Sequence, residues 1–366
     1  MSTEHYVGIM SGTSLDGIDA VVASFSEAQP TVLGHVSAAL PAALRATLLS
    51  LNVPQGHDEL ERAAIAGVEL ARHYADVALE AIRQSELSSK HVRAIGCHGQ
   101  TVRHRPDHGF TLQLGNGALL AELTGLTVVT DFRSRDIAAG GQGAPLVPAF
   151  HDAMFRSPTH ARIILNLGGF SNLTVLRPGH ETRGYDCGPA NVLLDGWAER
   201  HLGQPFDCDG AWSQSGTVAP ALLRALLTHP YFLRTPPKST GRNEFHLGWL
   251  EGFHETHRLS PRDVQATLAE LTAQTVADCI ATEWCEGLEI YCCGGGAKNR
   301  ALIERIQALL PKAPVRLTDD LGIPATLVEA TAFAWLAREL LHHRSASLPA
   351  VTGARGKVLL GAIYPA

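Results

Sequence analysis

Val7–Met10 and Ile18–Phe25 are short runs of apolar and β-branched residues, and Asp16-Gly17 between them supplies a turn. That pattern predicts two strands joined by a tight connection. Ala39–Leu51 and Leu60–Gln84 instead repeat their apolar residues three and four apart, which predicts helices. Val92–Cys97, Phe110–Leu114 and Leu126–Asp131 predict strands, and Asn116–Leu123 a short helix. Two stretches break both periods. CHGQTVRHRP (97–106) reads as a polar loop, and DFRSRDIAAGGQGAPLVP (131–148) is too rich in glycine for a regular element. The second carries cations and anions together, as binding loops do.

The plan then restarts. Arg162–Asn166 predicts a strand, GGFSN (168–172) a turn and Leu173–Leu176 a second strand, echoing the opening of the chain. GYDCGPANVLLDGWAERHLG (184–203) reads as a loop entering a helix, with Pro189 near its first turn. Ala219–Thr228, Ser260–Glu283, Asn299–Leu310 and Glu329–Leu341 carry helical spacing. Leu288–Cys293 predicts a strand that runs into Gly294-Gly295-Gly296, and the tail holds one more short strand. The expectation is two α/β domains, 1–150 and 151–345, with 345–366 packing back on the first.

Composition narrows the class. A chain of 366 residues exceeds one ordinary core, and 45% hydrophobic content with 35 Gly and 20 Pro suits a loop-rich α/β protein. The net charge is −6 and no basic run occurs, which argues against nucleic acid as partner. No apolar stretch approaches the ~20 residues of a membrane span, and MSTEHYVGIM lacks the basic and apolar regions of a signal peptide. The seven Cys include no C-x-x-C pair, which suits reduced thiols in a cytoplasm.

Three turns carry candidate chemistry. Gly12, Thr13, Ser14, Leu15, Asp16, Gly17, Ile18 and Asp19 offer backbone N–H groups, hydroxyls and carboxylates with little bulk. Such a turn can cradle an anion, and Asp16 or Asp19 beside it can hold Mg²⁺. No Lys follows, so it is not a P-loop. Gly168 and Gly169 can approach a phosphate, and Gly294, Gly295 and Gly296 at a strand end leave room for a flat group. Each turn alone reads equally well as a plain connection; the three in order suit a nucleotide clamped between two domains. Other features read blandly. HETH (254–257) lacks a third zinc ligand. Cys97 and His98 are neighbours on an extended strand, so they point to opposite faces. Asp207 and Asp209 read as shaping a polar loop.

MSGTSLDGIDA (10–20), CHGQTVRH (97–104), DFRSRDIAAGGQGAPLVP (131–148), NLGGFSN (166–172), DCGPANVLLD (186–195), KSTGR (238–242), CGGGAKN (293–299) and EATAFAWLA (329–337) together closely resemble the 1,6-anhydro-N-acetylmuramic acid kinase family. That family lies within the sugar kinase/heat-shock protein 70/actin superfamily. Ala190, Asn243 and Lys298 depart from its pattern. The resemblance implies a two-domain actin-like ATPase fold with duplicated ribonuclease-H-like cores and an active-site cleft between them. It implies a cytoplasmic, peptidoglycan-recycling homodimer that uses ATP and Mg²⁺ to open 1,6-anhydro-N-acetylmuramic acid and phosphorylate O6. A plain sugar kinase and an actin-like nucleotide switch are the rival readings. Asp186 is then the base for water, held ionised by a helix N-terminus. Gly12–Asp19, Gly168, Gly169, Gly294–Gly296 and Asn299 contact nucleotide, and Asp16 or Asp19 the metal. His98, Gln100, Arg133 and Glu329 contact sugar, with Arg133 or Arg135 clamping the lactyl carboxylate.

Overall fold

The computed structural model describes residues 3–12, 15, 17–26, 30–53, 56–236, 238–242 and 244–366. Its contacts divide the chain into two compact units, Met1–Met154 with Leu327–Ala366, and Phe155–Thr326.

The first unit is built on β1 (Glu4–Met10), β2 (Ile18–Phe25), β3 (Thr31–Ala38), β4 (Val92–Cys97) and, after a hairpin of β5 (Gln100–Arg105) with β6 (Phe110–Leu114), β7 (Val128–Thr130). The main sheet runs β3-β2-β1-β4-β7, with β2 antiparallel to both neighbours and β1, β4 and β7 parallel. One face packs on the helix Glu59–Gln84, where Leu70, Tyr74 and Ala78 meet Val7, Val22 and Ile95 in one buried cluster. The helix Val328–Leu341 packs on β1 and β4. Two glycines permit that close approach: a Cβ on Gly8 would lie 1.9 Å from the Ala330 carbonyl oxygen, and one on Gly96 2.0 Å from that of Phe333. A division at residues 150 and 345 would leave this helix in the second domain; by contact it goes with the first.

The second unit repeats the plan. β8 (Arg162–Leu167), β9 (Phe170–Leu176), β10 (Arg183–Pro189), β11 (Glu289–Cys293) and β12 (Val315–Leu317) form a sheet in the order β10-β9-β8-β11-β12. β9 is antiparallel to both neighbours and β8, β11 and β12 are parallel. Each unit thus shows the ribonuclease-H-like order 3-2-1-4-5, which is the duplication expected. Ile163, Leu165, Ile290 and Cys292 are buried against Val276 and Ile280 of the helix Pro261–Thr282. A separate cluster gathers Val192, Trp197, Leu222, Leu250 and Leu268. The tail strand β13 (Ala362–Tyr364) pairs antiparallel with β7 of the first unit.

Several loops expected from the sequence are regular. β3 is an edge strand burying only Gly34, so its apolar signal is weak. β5 lies inside the stretch read as a polar loop; Arg105 is exposed, Arg103 pairs with Glu59, and the partner β6 supplies the order. The glycine-rich stretch 131–148 contains the helix Ser134–Ala138 and opens the helix Val147–Phe155. β9 begins at Phe170, three residues before the expected Leu173. No helix among the described residues is long and apolar enough to cross a membrane.

Candidate functional site

The turn after β1 follows from how that strand ends. Ser11 is buried; its hydroxyl lies 2.7 Å from the Tyr74 hydroxyl and donates to the Gly99 carbonyl at 3.2 Å. Leu15 turns the chain at φ 60°, with its N–H on the Gly12 carbonyl at 3.2 Å. Leu15 and Ile18 are core residues at 0% and 1% exposure, so only their backbone could meet a nucleotide. Gly17 approaches the Ala38 carbonyl too closely for a side chain. Asp19 opens β2 beside Met10, partly exposed, and accepts from the Ser37 hydroxyl. Thr13, Ser14 and Asp16 lie outside the described residues.

Around this turn the first unit gathers the residues expected to meet sugar. β4 ends at Cys97, and the His98 N–H continues the pairing to the Ile9 carbonyl at 3.0 Å. The His98 ring is buried against Phe333, with centroids 4.7 Å apart. Its Nδ1 lies 3.4 Å from the Ser11 carbonyl oxygen, and its Nε2 accepts from Arg133 Nε at 3.1 Å and Nη2 at 2.9 Å. Burial first and the Arg133 charge second hold His98 neutral, its pKa down at about 3. Gln100 Nε2 donates to the Gly12 carbonyl at 3.1 Å, while its buried Oε1 has no partner among the described residues. Arg133 also donates through Nη1 to the Gly143 carbonyl at 2.7 Å. Desolvation brings its pKa down to about 10, against the opposing charges of Glu329 and Asp136. Glu329 sits partly exposed in the first turn of its helix. Arg135, the alternative clamp, is exposed on the helix Ser134–Ala138.

In the second unit, the Gly168 and Gly169 carbonyls accept from the N–H groups of Ala190, Asn191 and Val192, which seats the β8–β9 turn on the start of the helix Asn191–Leu202. Gly294 turns at φ 87° with no room for a Cβ, which would sit 2.2 Å from Asn166 Oδ1. A Cβ on Gly296 would lie 2.8 Å from Leu167, but one on Gly295 would meet nothing within 4 Å among the described residues. Asn299 caps the helix Arg300–Leu309, its Oδ1 accepting from Leu302 N–H at 3.0 Å.

Asp186 corrects two expectations. It lies within β10, opposite Asn172 and ahead of a bulge, rather than in a loop at a helix N-terminus. Its carboxyl is not held ionised: desolvation pushes the pKa up to about 7, against the Thr240 N–H and the Lys238 charge. Thr240 N–H donates to Oδ2 at 2.9 Å, and the Tyr231 hydroxyl donates to the Asp186 carbonyl at 2.7 Å. Tyr231 and Thr240 lie nine positions apart, and Thr240 belongs to the KSTGR stretch (238–242). A carboxyl poised near neutrality is suited to general-base work. The neighbouring thiol Cys187 and the distant Cys97 are buried, and burial raises both, Cys97 to about 12. Neither is primed as a thiolate.

The family model for anhydro-N-acetylmuramic acid kinase matches residues 4–366. The chain belongs to this family. Relatives carrying that name include those of Bordetella avium, 55% identical over 99% of this chain and 96% of its own length, and of Nitrosospira multiformis, 52% identical over 100% of both. That of Albidiferax ferrireducens is 51% identical over 99% of each. Among solved structures, the activator of the 2-hydroxyisocaproyl-CoA dehydratase from Clostridium difficile is similar at TM-score 0.47 and 10% identity, over 93% of this chain and 96% of that one. The fold assignment rests on the two sheet orders, not on that likeness.

Family membership makes this chain a kinase. Among the described residues no three His, Cys, Asp or Glu gather as a metal cage. Asp207 accepts from the N–H groups of Trp212 and Ser213, which is a structural task. Sequence reasoning missed Asp136, which is fully buried and organises the 140–143 loop. Its signal was an acid inside an otherwise small-residue, glycine-rich stretch.

Proposed function

We propose that this chain uses ATP to convert 1,6-anhydro-N-acetylmuramic acid to N-acetylmuramic acid 6-phosphate, in the cytoplasmic recycling of cell-wall sugar. The observation that carries the reading, beyond family membership, is the Asp186 carboxyl at about 7. Its Oδ2 is fixed by Thr240, so the group is oriented as well as basic. Asp186 takes a proton from water, and the oxygen of that water bonds to the anomeric carbon. The bond from that carbon to O6 breaks. O6 then takes the γ-phosphoryl group, and ADP leaves.

The sugar is held by Gln100, Arg133 and Glu329. Gln100 Oε1, which has no partner among the described residues, supports this role, because a buried acceptor without a donor costs ~1–3 kcal/mol and a sugar hydroxyl can supply one. Arg133 pairs with the lactyl carboxylate, a charge-assisted contact in partly dry surroundings. The nucleotide lies along the Gly12–Asp19, Gly168-Gly169 and Gly294–Gly296 turns. Asp19, with Asp16 of the same turn, would hold Mg²⁺. One or two carboxylates are the usual protein share when phosphates carry the ion, and the partly exposed Asp19 at the mouth of β2 fits that share. Mg²⁺ supplies neutralisation of the charge on the transferring phosphoryl group. The active species is a homodimer by family likeness.

The test mixes the protein with Mg-ATP and 1,6-anhydro-N-acetylmuramic acid and measures ADP and the 6-phosphate. Equimolar products are expected. ATP hydrolysis indifferent to the sugar would overturn the reading in favour of a nucleotide switch.

A further inference from the structure

We propose that His98 and Asp136 are positioning residues for Arg133 rather than sugar ligands, and that between them they aim its end-on fork at the lactyl carboxylate. The inference rests on the reading of Arg133 as the carboxylate clamp.

A guanidinium has five N–H donors in a fixed plane. Arg133 spends three of them inside the protein. Nε and Nη2 each give one to His98 Nε2, and Nη1 gives one to the Gly143 carbonyl. His98 takes the edge formed by Nε and Nη2, and one N–H remains on each terminal nitrogen, so a carboxylate has to be met from the Nη1 and Nη2 end. The two protein acceptors therefore fix the plane of the group and the edge it offers.

His98 has nothing left for a sugar. Its single Nε2 lone pair is taken by Arg133, and Nδ1 carries the proton toward the Ser11 carbonyl. The neutral ring that burial enforces is the form this geometry requires, since a protonated ring could not accept from Arg133. Phe333 closes the ring's other side at 4.7 Å, so the imidazole has little freedom to turn.

Asp136 acts one bond further out. It is fully buried and uses both carboxylate oxygens: Oδ2 accepts from Gly143 N–H at 2.7 Å and Oδ1 from the Thr352 hydroxyl at 2.8 Å. Its own backbone carbonyl accepts from Gly141 N–H at 2.9 Å, and the Thr352 carbonyl accepts from Gln142 N–H at 2.8 Å. The 140–143 loop is thus pinned at consecutive residues, and the Gly143 carbonyl that meets Arg133 is delivered by that pinning. Even a methyl group on Gly141 would come within 2.2 Å of Asp136 Oδ2.

The test compares kcat/KM for 1,6-anhydro-N-acetylmuramic acid with that for the same anhydro sugar lacking the lactyl group. Their ratio reports carboxylate recognition and is blind to a general loss of active protein. Arg133→Ala should collapse the ratio; if it does not, the clamp reading itself fails. His98→Asn keeps a donor for Ser11 but has no acceptor at the Nε2 position. It should lower the ratio at least tenfold, through KM for the lactyl sugar rather than through kcat. His98→Gln restores an acceptor at that reach and should keep the ratio within about threefold of native. Asp136→Ala should lower it and Asp136→Asn, which can still accept from Gly143 and bond Thr352, should largely preserve it. If Arg133→Ala collapses the ratio while His98→Asn leaves it intact, the positioning role is wrong even though the clamp stands. Equal losses in His98→Asn and His98→Gln would overturn it as well, since only an acceptor at Nε2 separates them.

Discussion

Asp186→Asn should silence the enzyme and at the same time stabilise its fold, by an amount that depends on pH. The carboxyl ionises near 7 in the fold against an ordinary 3.8, with desolvation as the leading cause. The folded protein therefore binds this proton more tightly than the unfolded chain does. Its stability contribution is fully present below about pH 4 and is lost as pH rises through 7. The gap is about three units at about 1.4 kcal/mol each, so the ionised group costs the fold at most about 4 kcal/mol at pH 8. Asp186 is partly open to water, which trims the expected figure to about 1–3 kcal/mol. Asn cannot ionise, and its amide oxygen can still accept from Thr240 N–H, so the variant escapes the cost. Urea unfolding of native protein and variant at pH 5 and pH 8 reads the effect as a difference of differences. The variant should gain on the native protein at pH 8, and most of that gain should be absent at pH 5. Turnover should fall ~10²–10⁴-fold, the usual loss on removing a general base. The native rate should rise with pH through about 7, as the base deprotonates. A variant that turns over normally, or that is no more stable at pH 8 than at pH 5 relative to native, would refute the assignment of a desolvated base.

Gly295→Val places a branched side chain where a Cβ meets nothing within 4 Å among the described residues, so the fold should tolerate it; calorimetry should show ATP affinity down more than tenfold, about 1.4 kcal/mol, and unchanged affinity would remove this turn from the nucleotide site. Gly294→Ala is the contrast, because its Cβ meets Asn166 Oδ1 and the loss should appear in thermal stability first. Cys97→Ser and Cys187→Ser should keep most activity, and native protein should alkylate slowly at both thiols; complete inactivation of a folded Cys97 variant would reopen covalent catalysis. Arg133→Lys should recover only part of the loss of Arg133→Ala, because an ammonium cannot serve His98, Gly143 and a carboxylate from one plane; full recovery would mean that charge alone suffices.

What the sequence determined by itself was periodicity, turn chemistry and motif. Continuous apolar runs located β1, β2, β4, β8 and β11 because those strands are buried, and burial writes a strong hydrophobic signal. It located the long helices for the same reason, and the quoted motifs sufficed to mark the family. Elements that bury little stayed hidden: β3 at a sheet edge and the polar β5, which are strands only because a partner supplies hydrogen bonds. Asp186 shows the limit most clearly. Its identity was legible, but its surroundings were not: the upward pKa shift comes from desolvation in the packed fold, opposed by Thr240, a hydrogen-bond partner more than fifty positions away. The same holds for Arg133. Its candidacy lay in DFRSRD, yet one of the acceptors that hold it, His98, lies 35 positions away, and the other, Gly143, is brought back to it by the fold of the same glycine-rich stretch. Sequence records which groups are available and which backbone segments prefer to be strands or helices. Which groups share a dry volume, and therefore which proton is held and which guanidinium edge is offered, is decided by long-range packing that no local window contains.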